Sequence, residues 1–273
     1  MKPIKVSFIL LALAALISTS CVKDDDTNII QLDHAIKEIS YDKQRVATFA
    51  YDNQERLKEF YLDGKKLQEA FGRSLFQNAR SFKVYYANND KIANVKAIQS
   101  LEGNSTSDSL FFEYKNELVN VFIYKKNTQG KYEKKQRLEL KKDISNTIIS
   151  TITFEINGDK ESAIYTENYS YVGGNLLRYE SIPADNNKVI YEYSYLQIKN
   201  AFKDFNILSN IFRMPELSSI LNIGQVGITD TKENKKSTYN FEYTDDSGKY
   251  PLTAKIKNSD DEKYEKEIVY TYY

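Results

Sequence analysis

From about residue 36 onward the chain alternates apolar and polar positions with a period of two, the repeat that puts every second side chain on one face of a strand. The clearest stretch is 238–273. Tyr239, Phe241 and Tyr243 alternate there with Asn240 and Glu242 until Asp245-Asp246-Ser247-Gly248 stops the run. Asp and Ser bond to nearby backbone, and Gly tolerates positive φ, so a turn is expected at this point. Leu252, Ala254 and Ile256 resume the alternation, Asn258-Ser259-Asp260-Asp261 turns again, and Ile268, Tyr270 and Tyr272 complete a third strand.

Looser copies of this hairpin unit recur along the chain. Phe49-Ala50-Tyr51 leads through a polar turn to Leu57, and variants follow at Val84-Tyr85-Tyr86 to Ile92, Phe112-Glu113-Tyr114 to Leu118, Tyr169-Ser170-Tyr171 to Leu176, and Phe241-Glu242-Tyr243 to Leu252. Their spacing is irregular, which argues against a solenoid or propeller blade and for an antiparallel meander. The stretches 118–126, 131–141 and 147–156 read as the longest strands. In 131–141 nearly one whole face is charged, so that face is expected to meet water and to resist edge-to-edge pairing.

One segment departs from the period of two. Ile198, Phe202, Phe205, Leu208 and Phe212 are spaced by three and four residues, which predicts a single amphipathic helix over about 198–213, ended by Met214-Pro215. Leu217, Ile220 and Leu221 suggest a further short turn before Gly224. The helix is expected to pack on the sheet or cap an open barrel end; exposure as a partner-binding or lipid-binding helix is the alternative.

Composition strengthens the strand assignment. The 273 residues are 41% hydrophobic, enough for a large core, and they include 22 Tyr and 14 Phe against no Trp and four Pro. The expected fold is mainly β: a wide antiparallel meander curled into a barrel or half-barrel, with one inserted helix. The 38 basic and 38 acidic residues balance, so no global field draws nucleic acid or anionic lipid. With one Cys and one His, His34, the chain has no internal disulfide and no zinc site built on two or more such ligands. Calcium held by carboxylates is left open.

The N-terminus has its own pattern. Lys2 and Lys5 precede an apolar run over 6–17, followed by Ser18-Thr19-Ser20 and the sole Cys, Cys21. The run is short for a membrane span and has the layout of a secretory signal. It resembles the signal of bacterial lipoproteins, which implies that residues 1–20 are removed and that Cys21 is acylated as the mature N-terminus. Ser18 stands where the usual lipobox has Leu, as the looser boxes of Bacteroidota lipoproteins allow. Lys23, Asp24, Asp25 and Asp26 resemble the short Lys-then-acidic signal that sends Bacteroidota lipoproteins to the outer face of the outer membrane; a merely solvated tether over 21–32 is the alternative. A single β domain is expected over 33–273.

Within that domain Tyr191-Glu192-Tyr193, Lys199-Asn200-Ala201-Phe202, Tyr239-Asn240-Phe241-Glu242-Tyr243 and Gly248-Lys249-Tyr250-Pro251-Leu252-Thr253 resemble a family of Bacteroidota lipoproteins of unknown function with a porin-like β fold. The hairpin units also resemble the tyrosine-aspartate repeats of secreted bacterial proteins. These resemblances imply fold and location and carry no catalytic residues over.

The sequence contains no phosphate-binding Gly loop, no Gly-x-Ser-x-Gly elbow and no metal-spaced His or Cys cluster. Asp245-Asp246 and Asp260-Asp261 are the acidic pairs for glycan hydrolysis or Ca²⁺, although turns select such residues in any case. Trp, the preferred platform for sugar rings, is absent. The expectation is a lipid-anchored, surface-exposed, non-enzymatic outer-membrane protein without a cofactor or metal, which meets the membrane through its anchor and a protein or glycan partner at the cell surface. The periplasmic face is the alternative location. The rival functions are a half-barrel carrier of lipid or another apolar ligand, and a carboxylate-dependent enzyme acting on glycans.

Overall fold

The computed structural model describes residues 35–66, 79–100, 108–127, 129–202 and 205–273. The expected signal segment 1–20, Cys21, the segment Lys23, Asp24, Asp25 and Asp26, the expected tether over 21–32 and His34 lie outside the described residues. Leu32–Tyr273 forms one unit.

This unit is a closed antiparallel barrel of sixteen strands in which each strand pairs with the next and the last pairs with the first. The first half comprises β1 (Ile36–Tyr41), β2 (Gln44–Tyr51), β3 (Leu57–Asp63), β4 (Ala79–Tyr86), β5 (Ile92–Ser100), β6 (Ser109–Tyr114), β7 (Leu118–Lys126) and β8 (Tyr132–Lys142). The second half comprises β9 (Ile148–Asn157), β10 (Lys160–Val172), β11 (Asn175–Pro183), β12 (Val189–Lys199), β13 (Leu221–Asp230), β14 (Lys235–Asp245), β15 (Pro251–Asn258) and β16 (Asp261–Tyr272). Pairing of Ile39 with Tyr270 and Tyr41 with Ile268 closes the ring of strands. The longest strands are β10 and β16, at 13 and 12 residues, and not the three expected runs. Bulges within β10, between Ala163 and Tyr165 and between Ser170 and Tyr171, break its alternation and conceal its length in the sequence.

Strand direction alternates, so every connection after an even-numbered strand lies at the end where β1 begins, here called the proximal end. All five recurring hairpin units turn there. The turns of the Phe49 and Phe241 units and the β8–β9 turn share one mechanism. Asp52, Asp143 and Asp246 each accept backbone amides two and four residues ahead through Oδ1, at 2.8–3.0 Å, and Asn127 does the same at the distal end. The residue three places on takes positive φ: Glu55, Asn146, Lys249 and, at the distal end, Gly130. This is a type I turn closed by a left-handed residue, a common hairpin connection. In the 246–250 turn Gly248 does not supply the positive φ; Lys249 does, at 63°. For a side chain this costs about 1–2 kcal/mol, offset by amide bonds of about 1 kcal/mol each to the Asp246 carboxylate.

The second aromatics of three units, Tyr51, Tyr86 and Tyr114, have a distinct task at the proximal rim, which Tyr195 and Tyr272 share. Neighbouring hairpins meet there without a connecting turn, and inward-facing tyrosines bridge the gap. The Tyr51 hydroxyl on β2 donates to the Ile36 carbonyl on β1 at 3.2 Å, and Tyr86 on β4 donates to Leu57 on β3 at 2.9 Å. Tyr114 bonds to the Ile92 backbone, Tyr195 donates to the Leu176 carbonyl at 2.7 Å, and Tyr272 donates to the Pro251 carbonyl at 2.7 Å. Each ring is held in the lumen while its hydroxyl pins the start of the adjacent strand, which suits a residue with an apolar body and a polar tip.

The helix is shorter than its stripe predicts. Ile198 and Lys199 remain in β12, where the ladder to β13 still pairs Lys199 with Leu221. Asn200 then turns the chain: its Oδ1 accepts the Phe202 amide at 2.9 Å, and its Nδ2 donates to the Leu217 and Ser219 carbonyls at 2.9 and 2.7 Å. Helix α1 spans only Asn206–Ile211, and a 3₁₀ turn follows at Pro215–Ser218. Strand pairing on one side and Asn200 on the other thus override helical periodicity outside this core. Phe202, Phe205, Leu208, Ile211, Phe212 and Met214 are nevertheless all buried, as a packed insert requires.

Candidate functional site

The described residues of the insert over 200–220 pack inside the barrel against two walls. Against β2–β4, Phe205 meets Phe49 and Phe60 edge-on with ring centres 5.8 and 5.7 Å apart, and Phe212 meets Phe60 and Phe82 at 5.5 and 5.2 Å. Against β10–β12, on the other side of the ring of strands, Ser219 Oγ accepts the Leu176 amide at 3.1 Å and lies 2.9 Å from the Tyr195 hydroxyl. The Arg213 guanidinium sits 3.9 Å from the centre of the Tyr165 ring. Tyr169, Tyr179 and Tyr191 stack along this wall at 5.6 and 5.1 Å, and the buried Glu167 is held by the Tyr179 hydroxyl at 2.5 Å.

Two lumen cavities lined by described residues are about 30 Å³, beside Asn200, Glu216 and Tyr243, and about 10 Å³, beside Phe49 and Phe202. The larger is the size of one water. A further hollow of about 250 Å³ lies at the distal end beside Tyr41, Tyr264 and Lys266.

The two acidic pairs do not form a site together. Asp245 and Asp246 lie at the proximal end of β15 and Asp260 and Asp261 at its distal end. Eight strand residues set them roughly 26 Å apart, well beyond the roughly 5–9.5 Å separation of glycosidase carboxylates. Asp246 is committed to its turn, and Asp261 Oδ1 accepts the Lys263 amide at 3.0 Å. Among the described residues no group of three His, Cys, Asp or Glu side chains is placed to hold a metal.

The outer wall carries the opposite pattern to the lumen. Ion pairs cover it, within a strand (Arg137 with Glu139, Arg178 with Glu180), between neighbouring strands (Arg178 with Glu192, Lys255 with Glu265, Lys257 with Glu242) and across β9 from β8 to β10 (Arg137 with Glu161). A barrel that spans a bilayer needs an apolar outer band, and each Lys or Arg at the midplane costs about 2–4 kcal/mol. This wall is therefore built for water. That no helix among the described residues is long and apolar enough to cross a membrane is a separate observation, about helices alone.

One part of the wall is different. Register places Tyr85, Asn94, Phe111, Phe122, Arg137 and Phe154 in a row across six adjacent strands, β4 to β9. Tyr85 and Phe111 are 38% and 42% exposed, values unusual for large rings that have a core available. Phe111 meets Tyr124 edge-on at 5.4 Å. Lys83 and Lys96, direct cross-strand partners, both lie over Tyr85 at 5.8 and 5.3 Å, and Lys134 lies 5.0 Å over Phe122. Like charges directly opposite on a sheet repel, and Lys96 and Lys134 form no ion pair among the described residues. Flat rings and uncompensated cations are the groups that grip an anionic or polar partner with a planar face. An adjoining outer hollow of about 380 Å³ over β1–β4 repeats the chemistry, with Arg45 5.7 Å over Tyr61 and Lys37 5.3 Å over Tyr273.

Sequence reading did not find this row. Its signal was the doublets Tyr85-Tyr86 and Phe111-Phe112, where one ring of each pair must face outward; which outward rings become neighbours depends on strand register.

No protein-family model matches the chain, and no curated protein matches it. Among solved structures the chain is similar to a porin-like protein from Bacteroides vulgatus ATCC 8482, with 10% identity, a TM-score of 0.40 and coverage of 88% of this chain and 98% of that one. It is also similar to a porin-like protein from Bacteroides uniformis ATCC 8492, with 14% identity, a TM-score of 0.38 and coverage of 87% and 98%.

Proposed function

We propose that this protein is a lipid-anchored, non-enzymatic interaction protein of the outer membrane, displayed at the cell surface, and that it binds its partner through the outer wall of the barrel. The supporting observation is the reversal of inside and outside: the lumen is packed with Phe and Tyr, and the uncommitted rings and cations lie on the outer face of β4–β9. A pore or carrier would place its working surface inside. Cys21 supplies the anchor, and Lys23, Asp24, Asp25 and Asp26 direct display.

A photo-crosslinking residue at Phe111, compared with one at Thr229 on the outer face of β13, tests the reading in intact cells. Capture of one defined surface protein or glycan at Phe111 only, abolished by Lys96→Glu, is the expected result. Equal capture at both positions, or none at either, rejects the outer row as the binding site.

A further inference from the structure

Six aliphatic side chains of the described residues are markedly exposed: Ile144, Val172, Leu177, Leu196, Ile220 and Leu252. All six belong to the proximal end. Ile144 tips the β8–β9 turn, Val172 ends β10, Leu177 lies near the start of β11, Leu196 lies near the end of β12, Ile220 immediately precedes β13, and Leu252 is the second residue of β15. Ile144 is 101% exposed, Val172 64% and Ile220 58%. Among the described residues the distal end exposes no aliphatic side chain of this kind. Chance placement of six residues at one of two ends is improbable, and exposed aliphatics gathered in one place mark a docking surface.

Where the chain enters the barrel identifies the occupant. β1 begins at Ile36, at this same proximal end, and Tyr51 ties the Ile36 carbonyl into the rim at 3.2 Å. Ile36 lies only fifteen positions after Cys21, a reach of at most about 50–54 Å even fully extended. The rim that the tether leaves is thus the one that carries the bare aliphatics. The carboxylates of three turns at this end, Asp52, Asp143 and Asp246, accept backbone amides of their own turns, so each already has partners other than water.

We infer that the proximal rim rests on the lipid surface that receives the anchor, with Ile144, Val172 and Ile220 immersed at the headgroup and acyl boundary. Side chains at that depth gain apolar burial without taking the charged wall into hydrocarbon. The barrel then stands with its distal end away from the bilayer and its outer row facing sideways. The inference rests on the anchor proposed above, but the rim and the anchor can be tested separately.

The test uses the processed lipoprotein in vesicles, with an environment-sensitive dye on Ile144→Cys, Ile220→Cys or, at the distal 231–234 turn, Glu233→Cys; the native Cys21 is blocked by its acyl chains. Quenching by doxyl-labelled lipid several-fold stronger at Ile144 and Ile220 than at Glu233 is the expected result. Equal quenching at both ends, or none at the proximal positions, overturns docking. A second arm mixes the unacylated Cys21→Ser chain with the same vesicles. Vesicle binding should persist weakly and fall roughly tenfold for each immersed residue changed, as in Ile144→Asp and Ile220→Asp. Binding unaffected by both changes also overturns docking. If mass analysis finds no acyl chain on Cys21 while the proximal quenching persists, the anchor reading fails and the docking stands.

Discussion

The Tyr86 hydroxyl on β4 donates to the Leu57 carbonyl on β3 at 2.9 Å, across a gap that no turn closes. The two residues are 29 positions apart in sequence, and the bond joins two hairpins that share no connection at that end. Removing the hydroxyl leaves the ring in place and a half-buried carbonyl without this partner, a loss of about 1–3 kcal/mol. Tyr86→Phe should lower the unfolding free energy by that amount, read as a lower denaturant midpoint with an unchanged slope, and hydrogen exchange should rise at the first residues of β3. Tyr272→Phe should do the same at Pro251. An effect spread evenly over the barrel would show that these hydroxyls do not act as local ties.

The same tyrosines set an alkaline limit. Burial raises Tyr86 and Tyr114 from 10.0 to about 12, and Tyr195 and Tyr272 are raised as well. Below pH 10 these phenols are protonated in both folded and unfolded chains. Between about pH 10 and 12 the unfolded chain loses protons that the folded barrel keeps, so stability falls as pH rises through that window. Absorbance of phenolate should show a late tyrosine class that ionises together with unfolding. A single transition near pH 10 with the fold intact would contradict these burial assignments.

The insert should behave as core. Phe205 is buried against Phe49 and Phe60, and truncation of such a ring costs roughly 3–5 kcal/mol. Phe205→Ala should therefore lower the denaturant midpoint clearly with little change in slope. An unchanged midpoint with loss of membrane or partner binding would show the segment exposed.

How far the sequence reaches follows from these elements. Period-two runs located most strands, and the Asp-led turns were legible because their chemistry is local. The Tyr-x-Tyr units were legible as repeats, but the purpose of the second Tyr was not, since its carbonyl partner lies 15–29 residues away. Barrel closure and the row from Tyr85 to Phe154 depend on register across many strands, which no local window contains. The helix stripe was overextended at Ile198 because strand pairing outweighed a weak local preference.

Anchoring is tested at the other end of the chain. Cys21→Ala should leave the protein soluble or unprocessed, and continued membrane fractionation with normal processing would contradict lipidation. Alanine at Lys23, Asp24, Asp25 and Asp26 should reduce protease shaving of intact cells, whereas unchanged shaving would make the segment a simple tether.

The central claim is that the barrel is packed inside and faces water outside. It is tested most directly by removing the first 21 residues and purifying the remainder without detergent. The account predicts a monodisperse, folded, β-rich particle that gives no conductance in a planar bilayer. Aggregation relieved only by detergent, together with stepwise conductance on reconstitution, would contradict it.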